Sequence, residues 1–395
     1  MASSKRLLTI GCFIAFFAFG FCDNLKGPLL PELLRGEDYS YRQGGTILLA
    51  AYVGFIVATL TTGVLADVVG NRGVLLLAGI CLSAGSVGIA ASSSYFMLVA
   101  SMGVSGIGLG AIELGANGLI VELHDKKRGR YLNLLATCHG FGALTVPIYA
   151  SAMLSVGWSW RQIFGSTAAF CIPLFVLFFP STSKRPSSAF NEDELQPSPR
   201  RNVDWTSMRR NAFSKDMRYY YVLIAAYVAV ELSVAAWMVE YLQQLHGRSV
   251  ASSTLFLSAF FVLLMLGRLL GAWVIGPIGY DSAIATALIS SSFCLVGGVW
   301  GPKEWVWLLP LSGFFLSIIF PTVTAAASDL HKAHMGSMLG LLFACAGVGG
   351  ALGPWSVGWV SEFAGLRLGM TCPIVFEMIA ISALIAIQLQ RRTKT

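Results

Sequence analysis

The chain has 395 residues, with 27 Lys and Arg against 20 Asp and Glu, and is only 12% charged, about half the charged fraction of an ordinary soluble domain. With 55% apolar residues, 42 glycines and a mean hydropathy of +0.70, it cannot supply a water-facing shell of that size. A soluble globular protein is excluded. So is a nucleic-acid-binding patch, because the basic residues are scattered between apolar runs.

Each apolar run is long enough to cross a bilayer as a helix. In chain order they are Leu7 to Leu34, Gly44 to Ala66, Gly73 to Ala91, Tyr95 to Leu123, Tyr131 to Val156 and Ile163 to Phe179. After a polar interval come Tyr219 to Leu245, Ser252 to Ile275, Ser282 to Val299, Trp305 to Ser328, Met335 to Val360 and Leu368 to Gln388. The runs are continuously apolar rather than alternating, which selects helices over a β-barrel. Lys5 and Arg6 precede the first run as in a signal peptide, but no small-x-small cleavage site follows, so the first helix is expected to be retained.

The expected fold is therefore an all-α membrane protein of twelve transmembrane helices in two pseudo-symmetric six-helix halves. Residues 1–180 form the N-terminal half, 181–217 a cytoplasmic linker and 218–395 the C-terminal half. The linker is rich in Ser, Pro, Arg and acids, and Trp205 to Phe213 could form a helix lying on the membrane. Twenty Lys and Arg fall on the side of the termini. Seven (Lys26, Arg35, Arg42, Arg161, Arg248, Lys303 and Arg367) fall opposite, which puts both termini in the cytoplasm. Compactness points to a bacterial inner membrane.

Eight cysteines lie within apolar segments with no CxxC or Cys/His cluster, so they read as small buried hydrophobes. There is no nucleotide-binding loop, catalytic domain or metal signature. That removes ATP-driven transport by this chain alone and most enzyme activities. No cofactor is expected; the partners are a small solute and the bilayer, and the working unit is a monomer.

Acids deep in a span are costly and mark function by default. Four qualify: Asp23, Glu113, Glu231 and Glu377. Asp23 and Asn24 lie where Gly27, Pro28 and Pro31 should loosen the first helix and free carbonyls for a polar ligand. Glu113 and Asn117 share one helical face. A carboxylate in a poorly hydrated site keeps its proton to higher pH, which makes Asp23 and Glu113 candidates for proton coupling. The structural alternative is an interhelical hydrogen bond, which weighs most for Glu377 in the last helix. His139 either donates to a ligand hydroxyl or is a satisfied core histidine. Trp237, Phe260, Phe320 and Trp355 are candidates for an aromatic platform against the apolar face of a sugar.

Between the second and third helices stands Gly63-Val-Leu-Ala-Asp67-Val-Val-Gly70-Asn-Arg72, which resembles the Gly-x-x-x-Asp-Arg-x-Gly-Arg signature of the major facilitator superfamily, with Val68 in place of an Arg. Gly63, Asp67, Gly70 and Arg72 would then be gating residues. Further segments resemble the fucose–galactose–glucose:proton symporter family within it. They are Glu113-Leu-Gly-Ala-Asn117, Arg130-Tyr-Leu-Asn133, His139-Gly-Phe-Gly142, the run from Glu231 to Trp237, Gly267-Arg268-Leu-Leu-Gly271, Phe320-Pro321-Thr322 and Gly349-Gly350-Ala-Leu-Gly353-Pro354. By alignment the family's first-helix carboxylate falls at Gly27, one turn after Asp23, and His139 stands where the family carries Asn.

The resemblance implies alternating access, with Glu113 coupling to protons and Glu113 and Asn117 facing a sugar cavity. The expected site adds Asn24, His139, Glu231 and Trp237 for substrate, Asp23 for coupling and Arg268 for gating. The expected function is proton-coupled uptake of a hexose or similar small polar solute, with sodium as the less favoured ion. The rivals are a proton-driven exporter of amphipathic compounds, whose cavity should be more aromatic than amide-rich, a passive uniporter, and a transport-inactive nutrient receptor.

Overall fold

The computed structural model describes residues 2–124, 128–179, 214–330 and 335–392, and no strand occurs among them. The first span is Ala2–Asn24 continued by Lys26–Gly36, with a single residue, Leu25, between the two segments. Pro28 falls in the first turn of the second segment, where its missing N–H has no intrahelical partner to lose. The loosening expected around Asn24 is therefore confined to one residue.

Helical turns follow one another from Tyr41 to Ala90, 50 residues. At 1.5 Å per residue that is about 75 Å, far beyond a hydrocarbon core of about 30 Å. Gly70 resolves the conflict: its φ of 74° and ψ of 161° turn the chain back on itself in a conformation that L side chains rarely adopt. Among the described residues, eleven helices of spanning length and hydropathy thus make twelve spans, the second and third meeting at Gly70.

The fourth and fifth spans are Tyr95–Leu123 and Arg128–Ser155, and the sixth is Trp160–Ser166, a tighter turn Thr167–Phe170, and Cys171–Phe178. Lys215–His246, Val250–Ile278 and Tyr280–Trp300 are the seventh to ninth. The tenth comprises Lys303–Trp307, Leu308–Leu316 and Ile319–Leu330; the eleventh is Met335–Ala364, and the twelfth Leu366–Gly369 with Cys372–Arg392. Serine caps start many of these helices: Ser40 and Ser159 form capping boxes with Gln43 and Gln162, while Ser94, Ser214 and Ser249 each accept one backbone N–H, satisfying donors that a helix leaves open. Most of the expected linker, including Trp205 to Phe213, lies outside the described residues.

Buried side chains form two clusters. One runs from Leu8 to Phe178; the other runs from Met217 to Ile387 and takes in Leu30, Leu34, Leu48 and Ala143 of the earlier spans. Side chains such as Leu60, Val64, Phe96 and Trp273 are exposed on the outside, as lipid-facing positions should be. Between the clusters, the second span packs on the eleventh and the fifth on the eighth. Gly349 and Gly353 bring the eleventh span against the carbonyls of Ala225 and Ala229 on the seventh, an approach any side chain would prevent.

Candidate functional site

A cavity of about 510 Å³ lies between the two clusters. The first span brings Phe19 and Asp23 to its wall, the second Tyr52 and Phe55, the fourth Glu113, and the fifth Asn133 and His139. From the other half come Glu231, Arg268, Phe320 and Phe343. A pocket of about 60 Å³ beside it adds Asn24 to Asp23, His139, Glu231 and Arg268. Five of the expected site residues (Asp23, Glu113, His139, Glu231 and Arg268) thus meet around one space, although they come from spans far apart in sequence.

The charges are arranged in pairs, with one exception. Lys26 Nζ donates to Asp23 Oδ1 at 2.6 Å with the two side chains 8% and 11% exposed. The ammonium also lies 4.3 Å from the centre of the Tyr52 ring, whose hydroxyl donates to Asp23 Oδ2 at 3.5 Å. Arg268 Nη2 stands 3.9 Å from Glu231 Oε1, and Glu231 accepts from the Tyr227 hydroxyl. Arg268 Nε also donates to the Ser317 carbonyl at 3.4 Å. That carbonyl is available because its helical partner would be the N–H of residue 321, a proline. Glu113 is the exception: it lines the cavity, and its carboxylate makes neither hydrogen bond nor ion pair with a described residue, although its backbone carbonyl accepts from Asn117.

The end of the cavity on the far side from the chain termini is sealed. There Arg35 donates to Glu32 Oε1 at 2.9 Å and to Gln243 Oε1 at 2.7 Å, and lies 3.8 Å from Glu240 Oε2. Tyr41 donates to Glu240 Oε1 at 3.3 Å, and the Arg42 N–H to Glu362 Oε2 at 3.3 Å. Gly27 packs against the Ala235 carbonyl and Gly358 against that of Tyr41. At the other end Gly63, Asp67, Gly70 and Arg72 are exposed; nothing lies within 4 Å of a Cβ built on Gly63 or Gly70, and neither Asp67 nor Arg72 forms an ion pair with a described residue. The cavity therefore opens toward the termini.

Several expectations are corrected. Trp237 is not on the cavity wall: it is fully buried, donates from Nε1 to the Pro354 carbonyl at 2.9 Å and packs on Tyr41. It lies six residues beyond Glu231, about 240° round the helix, so it faces the eleventh span. Asn117 shares a face with Glu113 as expected, but its amide donates to the Glu113 carbonyl at 2.8 Å and it is not part of the wall. Asn24 likewise turns back, to the Gly20 carbonyl at 2.8 Å. Phe260 is fully buried against Gly313, and Trp355 is also absent from the wall, leaving Phe320 as the expected aromatic that reaches the cavity. Arg268, expected at a gate, lines the cavity. Glu377 is wholly buried and accepts from Ser291, away from the cavity.

Sequence reasoning missed Lys26, Tyr52, Tyr227, Phe55 and Phe343. Lys26 was legible in part, because an acid and a base three residues apart are neighbours on a helix. The charge count places it with the cations of the far side, but it sits inside the first span.

The profile of a family described as the Major Facilitator Superfamily matches residues 12–354. Among curated proteins, the L-fucose-proton symporter of Escherichia coli (strain K12) is 21% identical over 344 residues, 78% of this chain and 76% of that one. The glucose/mannose transporter GlcP of Bacillus subtilis (strain 168) is 23% identical over 394 residues, covering 96% and 94%. Among solved structures, a bacterial homologue of the human lysosomal transporter Spinster, in an inward-facing and unoccupied conformation, superposes with a TM-score of 0.81 at 14% identity over 97% of each chain.

Proposed function

The chain belongs to the Major Facilitator Superfamily and is a multi-pass membrane transporter, not an enzyme, and from that premise we propose that it takes up a hexose or similar small polar solute by proton symport. Residues 1–180 and 218–395 are the two halves that rock about the cavity, joined by the linker at 181–217. By the distribution of Lys and Arg both termini are cytoplasmic, and the chain works as a monomer in the bilayer.

The observation that carries this reading is the charge arrangement in the cavity. Asp23 has Lys26 and Glu231 has Arg268, while Glu113 has no cationic partner among the described residues. Closing an apolar-walled cavity around an unpaired carboxylate is costly. Binding a proton on Glu113 removes that cost and permits closure, so solute and proton move together. Asp23 is then a hydroxyl acceptor held by Lys26 rather than a second proton carrier. The ammonium already supplies the positive charge beside Asp23 where sodium would sit, which favours the proton as coupling ion. Asp23, His139 and Glu231 offer acceptors and donors to a rim of hydroxyls, and Phe320 offers a ring to a sugar's apolar face. The relatives named for fucose, glucose and mannose support the substrate class.

Uptake of labelled monosaccharides into proteoliposomes, with and without an inward proton gradient, tests the proposal. The expected result is gradient-driven accumulation of at least one hexose. In Glu113→Gln accumulation should fall at least tenfold while some exchange persists; full accumulation by that variant refutes the coupling role. Proton-driven export of amphipathic compounds is the second reading, because Asn133 is the one amide among the described residues of the main cavity wall against six Phe and Tyr rings. It predicts expulsion where the first predicts uptake.

A further inference from the structure

The cavity has two unlike walls. Where the fifth and eighth spans meet, it presents Asn133, His139 and Arg268, with Asp23 and Glu231 adjoining. Where the second and eleventh meet, it presents Tyr52, Phe55 and Phe343, with Phe320 beside them. The rings of the second wall are ordered. Phe320 and Phe343 stack at 5.7 Å between centroids and 13° between planes, and Phe19 and Phe55 at 6.2 Å and 18°. Gly347, one turn from Phe343, lets the two pairs adjoin: a Cβ there would stand 2.8 Å from Ile56 and 3.8 Å from the Phe55 ring. The apolar surface therefore runs unbroken from one half of the molecule to the other.

A single pyranose ring lays one apolar face on one aromatic ring and turns its hydroxyls elsewhere. It leaves most of this wall facing water, with its apolar area unburied. The cavity volume of about 510 Å³ is likewise in the range that encloses a drug-sized ligand, about 300–1,000 Å³. Among the described residues the two cations near the cavity are engaged, Lys26 by Asp23 and Arg268 by Glu231, so an anionic solute such as a sugar phosphate or an aromatic acid finds no unpaired positive charge there.

We propose that the solute is a neutral glycoside: a sugar whose hydroxyls meet the Asp23, His139 and Glu231 side, carrying an aryl or alkyl aglycone that lies against Phe55, Phe320 and Phe343. This rests on the sugar reading above and narrows it.

Isothermal titration calorimetry of the purified full-length protein tests it, using methyl and phenyl β-D-glycosides of glucose, galactose, mannose and fucose, with phenol as the aglycone alone. For at least one sugar the phenyl glycoside should bind at least tenfold more tightly than the methyl glycoside, about 1.4 kcal/mol. In Phe343→Leu and Phe320→Leu, which keep bulk but remove the ring face, that ratio should fall below about threefold. The ratio is read within each variant, so a generally weakened protein still reports it. Phenyl glycosides no tighter than methyl glycosides overturn the inference while leaving hexose uptake standing. Phenol binding as tightly as the phenyl glycosides overturns it in favour of a general amphipathic site. Binding of none of these probes overturns it together with the sugar reading, which the uptake assay then checks on its own.

Discussion

Asp23 and Lys26 are one helical turn apart, nearly out of solvent, and joined at 2.6 Å. Removing one member of such a pair strands the other charge, at a cost on the order of 3 kcal/mol, whereas replacing both by neutral groups of similar volume costs far less. Lys26→Met should therefore lower the thermal midpoint of the detergent-solubilised protein by several degrees, and Asp23→Leu in the same chain should restore most of it. Equal midpoints for the wild type and the single variant would show that the pair holds nothing. The pair was half-visible in the sequence. Asp23 stands out because an acid in a span is costly, but Lys26 is counted with the far-side cations even though the expected first run, Leu7 to Leu34, passes through Gly27, Pro28 and Pro31 as one helix. Proline in a first turn does not end one, and the span continues to Gly36. Trp237 illustrates the opposite failure: its proximity in sequence to Glu231 said nothing about the face it occupies.

The spans themselves were legible, since a lipid-facing helix must be apolar over its whole length and hydropathy reads that directly. Breaks within the spans were harder to read. The turn at Gly70 fits the Gly and polar residues around it, whereas the tighter turn at Thr167–Phe170 leaves hydropathy unchanged, and the break before Ile319 has its only signal in Pro321, which leaves the Ser317 carbonyl without its helical partner. Glycines of the eleventh span differ in what they serve: Gly353 meets the Ala229 carbonyl while Gly340 on the same helix meets nothing within 4 Å. Gly353→Val should thus force the seventh and eleventh spans apart, lowering the midpoint by several degrees and abolishing transport. Gly340→Ala should be neutral or stabilise by about 0.5 kcal/mol, because it only removes backbone freedom. Thermal unfolding of the two variants side by side checks both; equal effects would mean that packing at Gly353 is not what the glycine serves.

At the scale of the whole molecule, the two core clusters are held together at the far end by Arg35, Tyr41 and Arg42 against Glu240, Gln243 and Glu362. None of this seal was legible in the sequence, because it joins residues some 200 or more positions apart and depends on which way the halves are tilted. Weakening it should shift the population toward the conformation open on that side. In a background lacking the eight native cysteines, Ala346→Cys on the cavity wall should react with an impermeant thiol reagent mainly from the side of the termini. Adding Arg35→Ala should speed its reaction from the sealed side at least fivefold. An unchanged rate would mean that the seal is held by helix packing at Gly27 and Gly358 rather than by these polar contacts.

If Glu113 carries the coupled proton as proposed, the pairing of charges in the cavity also sets how the transporter responds to membrane voltage. With Asp23 balanced by Lys26 and Glu231 by Arg268, the cavity is neutral when Glu113 carries its proton and holds one negative charge when it does not. Under the proposed coupling the loaded carrier crosses without moving charge, and the empty carrier returns with one. A charge crossing the full membrane field is worth about 2.3 kcal/mol per 100 mV. The electrical potential therefore does its work on the empty return, and the outward-facing carrier waits on voltage before it can wait on sugar.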